Sequence, residues 1–178
     1  SIVRVRYYDA EYNEGSLFHA LIALVHMQAE LANSGVFVRG GVSIGDIFLE
    51  ENEVFGPALV RAYDLESQYA NAPRIIIGPE VFHEFRQNRK LRAEHHDLAD
   101  EIHYIKQLVR RGDDGMWFVD YLKAIYSELD NPDSMYPAFM ARHRDFIVQH
   151  ATGIPLRGRI LPKYLWLAEY HNLVCNEL

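Results

Sequence analysis

The stretch Val38 to Ile77, VRGGVSIGDIFLEENEVFGPALVRAYDLESQYANAPRIII, carries the pattern from which the fold is read. Val36 to Ile44 reads as a strand that turns at Gly45 and Asp46 and resumes from Ile47 to Leu49. The acidic run Glu50 to Glu53 makes a loop, and Val54 and Phe55 lead to Gly56 and Pro57. Proline suits the first turn of a helix, where its fixed φ is already right and no amide partner is lost. A helix is therefore expected from Ala58 to about Ala70. Pro73 ends it, and Arg74 to Ile77, with three consecutive isoleucines, reads as a short strand.

Toward the N-terminus, Ile2, Arg4 and Arg6 alternate with Val3 and Val5, and with Tyr7 and Tyr8 they predict a strand ending at Asp9 to Gly15. Ser16 is the expected N-cap of a helix from Leu17 to about Asn33. Its apolar face carries Leu17, Leu21, Leu24, Met27, Gln28 and Leu31, and Gly35 closes it. His19 and His26 read as ordinary helix residues. The order strand, helix, strand, strand, helix, strand predicts an α+β fold, a ferredoxin-like antiparallel sheet with helices on one face. An alternating parallel fold is disfavoured because two adjacent strands share a helix-free connection. Beyond Pro79 the chain is mostly helical: Glu80 to about Ala93, Leu98 to about Arg111, Asp133 to about His150, and Leu161 to Val174. Trp117 to Tyr121 forms a β-like segment behind the turn residues Asp113 to Gly115. No repeat or low-complexity linker divides the 178 residues, which read as one domain.

Charge and composition narrow the function classes. Twenty-five acidic residues against 18 Lys and Arg give a net charge of −7, and no basic stripe interleaved with aromatics is present, which disfavours nucleic-acid binding. A nucleotide stays admissible, since a few arginines and a divalent ion neutralise a triphosphate against an acidic background. The longest apolar helical stretch, Leu17 to Leu31, contains His19, His26, Gln28 and Glu30 and is too short to span a bilayer. No membrane contact and a cytoplasmic location are expected. The single cysteine, Cys175, excludes an internal disulfide and a multi-Cys zinc site, and is expected to be a buried structural thiol.

Common catalytic signatures are absent. There is no phosphate loop of the Walker type, no dinucleotide glycine fingerprint and no His-Glu-x-x-His pair. His95 and His96 are adjacent, so on a helix they point about 100° apart and do not readily share a metal. Asp113 and Asp114 precede Gly115 in a turn, where short acids bond their own backbone. Arg86, Arg89, Lys90 and Arg92 read as a solvated helix face.

The Val38 to Ile77 block resembles the catalytic domain of class III adenylyl and guanylyl cyclases. That family has an R-x-G-x-x-x-G strand, a hairpin, and the turn W/F-G-x-x-V-N-x-A-x-R-x-E. The matching residues are Arg39, Gly41 and Gly45, then Phe55, Gly56, Ala62 and Glu66. Pro57 stands where purine cyclases place a base-reading aspartate, Val60 at the transition-state asparagine, and Asp64 at the arginine. FGPALVRAYDLES, Asp114-Gly115-x-Trp117-Phe118-x-Asp120-Tyr121-Leu122 and Lys163-Tyr164-x-Trp166-Leu167-Ala168-x-Tyr170-His171-Asn172 look instead like the bacterial pyrimidine cyclases of antiphage defence.

That resemblance implies conversion of UTP or CTP to a 3′,5′-cyclic nucleotide and pyrophosphate with Mn²⁺ or Mg²⁺. It further implies a head-to-tail homodimer with interfacial active sites and a separately encoded effector that reads the product. A cyclase core over residues 1–78 and a mostly helical extension over 79–178 are expected. Both metal-binding aspartates implied by the family fall before Ser1, and the family's first strand and helices would precede the chain. Asp9 and Asp46 are not promoted in their place. Among residues present, Arg61 is the candidate for the lost cation, about 60° away from Asp64 on the helix. Arg4 is the candidate triphosphate contact, and Pro57, Val60 and Tyr63, with Phe55, are candidates for the base pocket. Lys163, Trp166, Tyr170 and His171 share one helical face and are expected to serve packing or dimer contact.

Overall fold

A computed structural model describes residues 2–7, 15–51, 53–155 and 158–177. The predicted opening strand is corrected first: residues 2–7 hold no regular secondary structure, and Ile2 is 94% exposed. Alternation marks a segment that suits a pleat, but a strand also needs a neighbour for its amides and carbonyls. Tyr8 and Asp9 lie outside the described residues.

Helix α1 (Ser16–Asn33) begins one residue early, with Gly15 (φ 65°) at the cap and Ser16 buried in the first turn, its Oγ unpartnered. Its buried face is Leu17, Leu21, Val25, Gln28, Ala29 and Ala32, rotated from the expected one so that Leu24, Met27 and Leu31 are half-buried. Leu21 and Val25 sit deepest, fully removed from water. The Gly35 stop holds: its N–H donates to Ala32 O at 3.0 Å and that of Val36 to Leu31 O at 2.8 Å.

Then follow β1 (Gly40–Val42), β2 (Phe48–Glu50), β3 (Glu53–Phe55), α2 (Pro57–Asp64) running into a π turn at Leu65–Tyr69, and β4 (Ile75–Ile77). After α3 (Pro79–Gln87) and a 3₁₀ turn at Arg89–Leu91 come α4 (Leu98–Leu108), β5 (Val109–Arg111) and β6 (Trp117–Val119). The chain finishes with α5 (Tyr121–Ala124), a 3₁₀ turn at Ile125–Glu128, α6 (Pro132–Ala151) and α7 (Leu161–Glu177).

The fold is α+β, but the expected antiparallel sheet is a mixed one of four strands in the order β1-β4-β6-β5. β1 pairs with β4 in parallel, while β4 with β6 and β6 with β5 are antiparallel. The helix-free connection that argued against parallel pairing, at Gly45 and Asp46, joins β1 to β2, which do not pair: β2 forms a separate two-stranded ribbon with β3. With the ribbon and α2 between them, β1 and β4 have the long connection that a parallel pair needs. Two of the four strands come from residues after 79, and β5 replaces the end of the helix predicted to Arg111.

Helices on one face are also corrected, at β4. Ile75, Ile76 and Ile77 are all buried, and successive side chains point to opposite faces, so both faces are dry there. Gly41, Ile76 and Phe118 are in register on one face. α2 lies over Gly41, and Trp166 and Tyr170 of α7 lie over Phe118 at 5.6 and 5.5 Å between ring centroids. α1 packs on β6, α4 and α5. No helix among the described residues is long and apolar enough to cross a membrane.

Candidate functional site

The block quoted at the outset folds as a unit in which β1 and α2 touch backbone to side chain. A Cβ on Gly41 would press into the carbonyl oxygen of Ala62 and stand 2.7 Å from Leu65 Cβ. Gly56, at φ 143°, lies under the ribbon: a Cβ there would stand 2.7 Å from Asp46 O and 2.9 Å from Ile47 Cα. Pro57 occupies the first turn of α2 as expected. Ser43 Oγ donates to Ala58 O at 2.5 Å, and Ala58 N donates to Asp46 O at 3.2 Å, so Asp46 contributes its backbone to the turn. The first and last matched residues are an ion pair, Arg39 Nε to Glu66 Oε1 at 2.5 Å.

The predicted base-pocket residues are exposed. Val60 is 59% and Tyr63 65% exposed, and Phe55, 56% exposed, stacks on Phe48 at 4.5 Å. Arg61 reaches back to donate from Nη2 to Ile44 O at 3.0 Å, and it covers Gly45. Asp64 accepts from Gln68 Nε2 at 3.2 Å. Arg4 is exposed on the irregular segment 2–7. These exposed side chains are apolar or aromatic, and the Arg61 guanidinium is engaged in holding a turn.

The two motifs farther along the chain meet. Arg74 is 6% exposed, pairs with Asp114, donates to Tyr69 O at 3.4 Å, and lies over the rings of Phe118 at 5.6 Å and Trp166 at 5.4 Å. The guanidinium, as the first cause, holds the Asp114 carboxyl below its ordinary range. Asp114 also accepts from Met116 N at 3.2 Å, in keeping with the turn role read for it. On the same strand face, Asp120 accepts from Arg110 Nε at 2.7 Å and from Tyr170 OH at 2.6 Å, and that hydroxyl accepts from Leu122 N at 3.2 Å. Arg110 forks onto Glu177 at 2.7 and 2.6 Å, and Lys123 adds a bond at 3.2 Å. The Arg110 bond, the largest cause, pulls the Glu177 carboxyl down to about 2. Sequence reading assigned Trp166, Tyr170 and His171 to one face but did not pair them with Phe118 and Asp120. The signal was present as the i, i+2 spacing of Phe118 and Asp120 beside the i, i+4 spacing of Trp166 and Tyr170.

A second polar chain runs from Tyr121 through His143 of α6 to His171 and Cys175 of α7. Tyr121 OH lies 2.7 Å from His143 Nε2, His143 Nδ1 lies 3.1 Å from His171 Nδ1, and His171 Nε2 lies 3.5 Å from Cys175 Sγ. The Tyr121 hydroxyl proton has no other acceptor among the described residues, so it donates to His143; His143 then donates from Nδ1, and the His171 proton sits on Nε2 facing the sulfur. Cys175 is exposed, which corrects the buried thiol: it lies on the outer side of α7's final turns.

Burial first, then the neighbouring His171, takes His143 down to about 3, and burial with Arg144 nearby lowers His171. The unfolded chain therefore binds more protons than the native one between the ordinary imidazole value, near 6.5, and about 3. Stability from this pair is full above pH 6.5 and falls with acidification, by about 1.4 kcal/mol per pH unit for His143 alone. Asp114 and Glu177, with lowered values, add their losses only below the ordinary carboxylate range. Urea unfolding midpoints should thus drop between pH 6.5 and 4.5 in the wild type. A flat profile there, or the same slope in His143→Phe, would remove the pair from the account.

The remaining candidates are peripheral. His96 Nδ1 lies 2.9 Å from Glu101 Oε1, His26 bonds Glu128 at 3.2 Å, and Arg86, Arg89 and Lys90 are exposed. Among the described residues no three His, Cys, Asp or Glu side chains stand together to hold a metal ion. No known protein family, curated protein or solved structure matches the chain.

Proposed function

We propose that the chain is the greater part of a nucleotide cyclase that converts a pyrimidine nucleoside triphosphate, UTP rather than CTP, to its 3′,5′-cyclic monophosphate as an antiphage signal. The observation that carries this reading is the spacing of Arg39, Gly41, Gly45, Phe55, Gly56, Ala62 and Glu66, together with their packing as one unit whose ends pair. The exposed Phe48, Phe55, Val60 and Tyr63 support a head-to-tail homodimer, since large apolar side chains in water are what an interface would cover. Pro57 and Val60 in place of hydrogen-bonding residues fit a site that does not read a purine edge. In this reading Mn²⁺ or Mg²⁺ is held by aspartates outside residues 1–178, and it lowers the pKa of the ribose hydroxyl and offsets charge on the phosphate. The described residues do not supply that donor set, so they enter the proposal through binding and assembly. The enzyme would work in the cytoplasm beside an effector that binds the product.

A second reading, a cyclase-fold module that dimerises or senses nucleotide without catalysis, is favoured by one observation. Arg61 is committed to the Ile44 carbonyl, and Asp64 stands where the family carries its cation.

One assay separates the two. The full gene product is incubated with each triphosphate and Mn²⁺, and products are identified by mass spectrometry; cyclic UMP is the expected main product. Cyclic AMP or GMP as main product would overturn the pyrimidine assignment, and no cyclic product from any triphosphate would favour the second reading. In an active enzyme, Arg61→Ala with an unchanged rate would confine Arg61 to its turn. The gene should also encode aspartate directly before Ser1.

A further inference from the structure

We infer that a cleft away from α2, between the approaches to β1 and β4 and the first turn of α7, binds a small organic anion bearing a flat ring, in the class of aryl phosphates. The cleft has a volume of about 270 Å³ and is lined by Phe37, Arg39, Pro73, Ile160, Lys163 and Tyr164. Its walls are apolar and its charged groups are few and of one sign, the composition of small-molecule sites.

The cations are available. Arg39 pairs with Glu66 through Nε at 2.5 Å and has no second acidic partner among the described residues. Lys163 has no acidic partner among them. In a chain of net charge −7, Arg39 and Lys163 both line one concavity, with Glu66 the only acid paired to either among the described residues. A phosphate monoester supplies the charge and the acceptor oxygens to meet both.

The apolar wall is held in place without a ligand. Phe37 packs edge-on against His143 at 5.3 Å, His150 at 5.9 Å and Tyr164 at 6.3 Å, and Tyr164 OH lies 3.2 Å from His150 Nδ1. A ring entering beside Tyr164, Pro73 and the 57% exposed Ile160 covers apolar surface against a wall already packed, so little affinity is lost to ordering side chains.

The test is a titration of the ¹⁵N-labelled chain with phenyl phosphate, with orthophosphate as the charge-only comparison. Amide shifts should centre on residues 37–39, 74, 160, 161, 163 and 164, and orthophosphate should bind at least about fivefold more weakly. Lys163→Gln removes one cation, and Ile160→Glu adds a repelling charge at an exposed position; each should weaken phenyl phosphate about fivefold while melting like wild type. Shifts centred elsewhere, wild-type affinity in both variants, or equal binding of the two anions would overturn the assignment.

Discussion

Gly41→Ala should destabilise the protein by about 3 kcal/mol, the upper part of the range for forcing one extra carbon into a packed interface. The added Cβ would meet the Ala62 carbonyl, a backbone atom that cannot rotate away, and would lie 2.7 Å from Leu65 Cβ. Relief requires moving the α2 segment off β1, which also disturbs the seat of Arg61 and the Arg39 to Glu66 pair. The neighbouring glycine is the control. A Cβ on Gly40 would stand 3.5 Å from Ile75, an ordinary contact, so Gly40→Ala should stay within about 0.5 kcal/mol. In thermal melts the first variant should fall roughly 6 to 12 °C and the second by little. Equal melting temperatures for the two variants would mean that β1 and α2 do not pack as described.

Asp120→Ala should cost about 3 kcal/mol. The carboxylate is 3% exposed and serves two donors, Arg110 Nε and Tyr170 OH. Its loss leaves the tyrosine proton without an acceptor in a dry site and Arg110 with Glu177 alone; that surviving partner holds the cost at the low end for a broken buried pair. Asp120→Asn keeps an acceptor oxygen and should cost about half as much. Tyr170→Phe should cost about 2 kcal/mol, since it also orphans the buried Leu122 amide. The two losses share a bond, so in urea unfolding Asp120→Ala and Tyr170→Phe should combine to about 1 kcal/mol less than their sum. Strict additivity would show that the bond carries no energy.

What the sequence made legible was local. Pro57 announced α2, Gly35 the end of α1, and the isoleucine triplet β4, because each residue type acts through its own backbone or burial. What it hid was pairing at a distance. Nothing in Ile2 to Tyr7 says whether another strand lies alongside, and nothing in Val36 to Phe55 says that the hairpin leaves the sheet. Val109 to Arg111 continues the helical pattern of α4 and becomes a strand because β6 is there to receive it. The candidate site was affected in the same way. Arg61 was legible as a cation on α2, but its engagement by the Ile44 carbonyl depends on how the turn at Gly45 folds back.

The interlock of α7 with β6 also bears on the order in which the protein is made. Trp166, Leu167, Tyr170 and Glu177 supply the cover for Phe118, part of the core, and the partners of Asp120 and Arg110. A nascent chain that has released α6 still lacks all of them, leaving Phe118 without its aromatic cover and Asp120 and Arg110 with each other alone. The cover over β6 is thus completed only after α7 clears the ribosome. Until then the chain carries the exposed β-strands that chaperones recognise and that aggregation exploits.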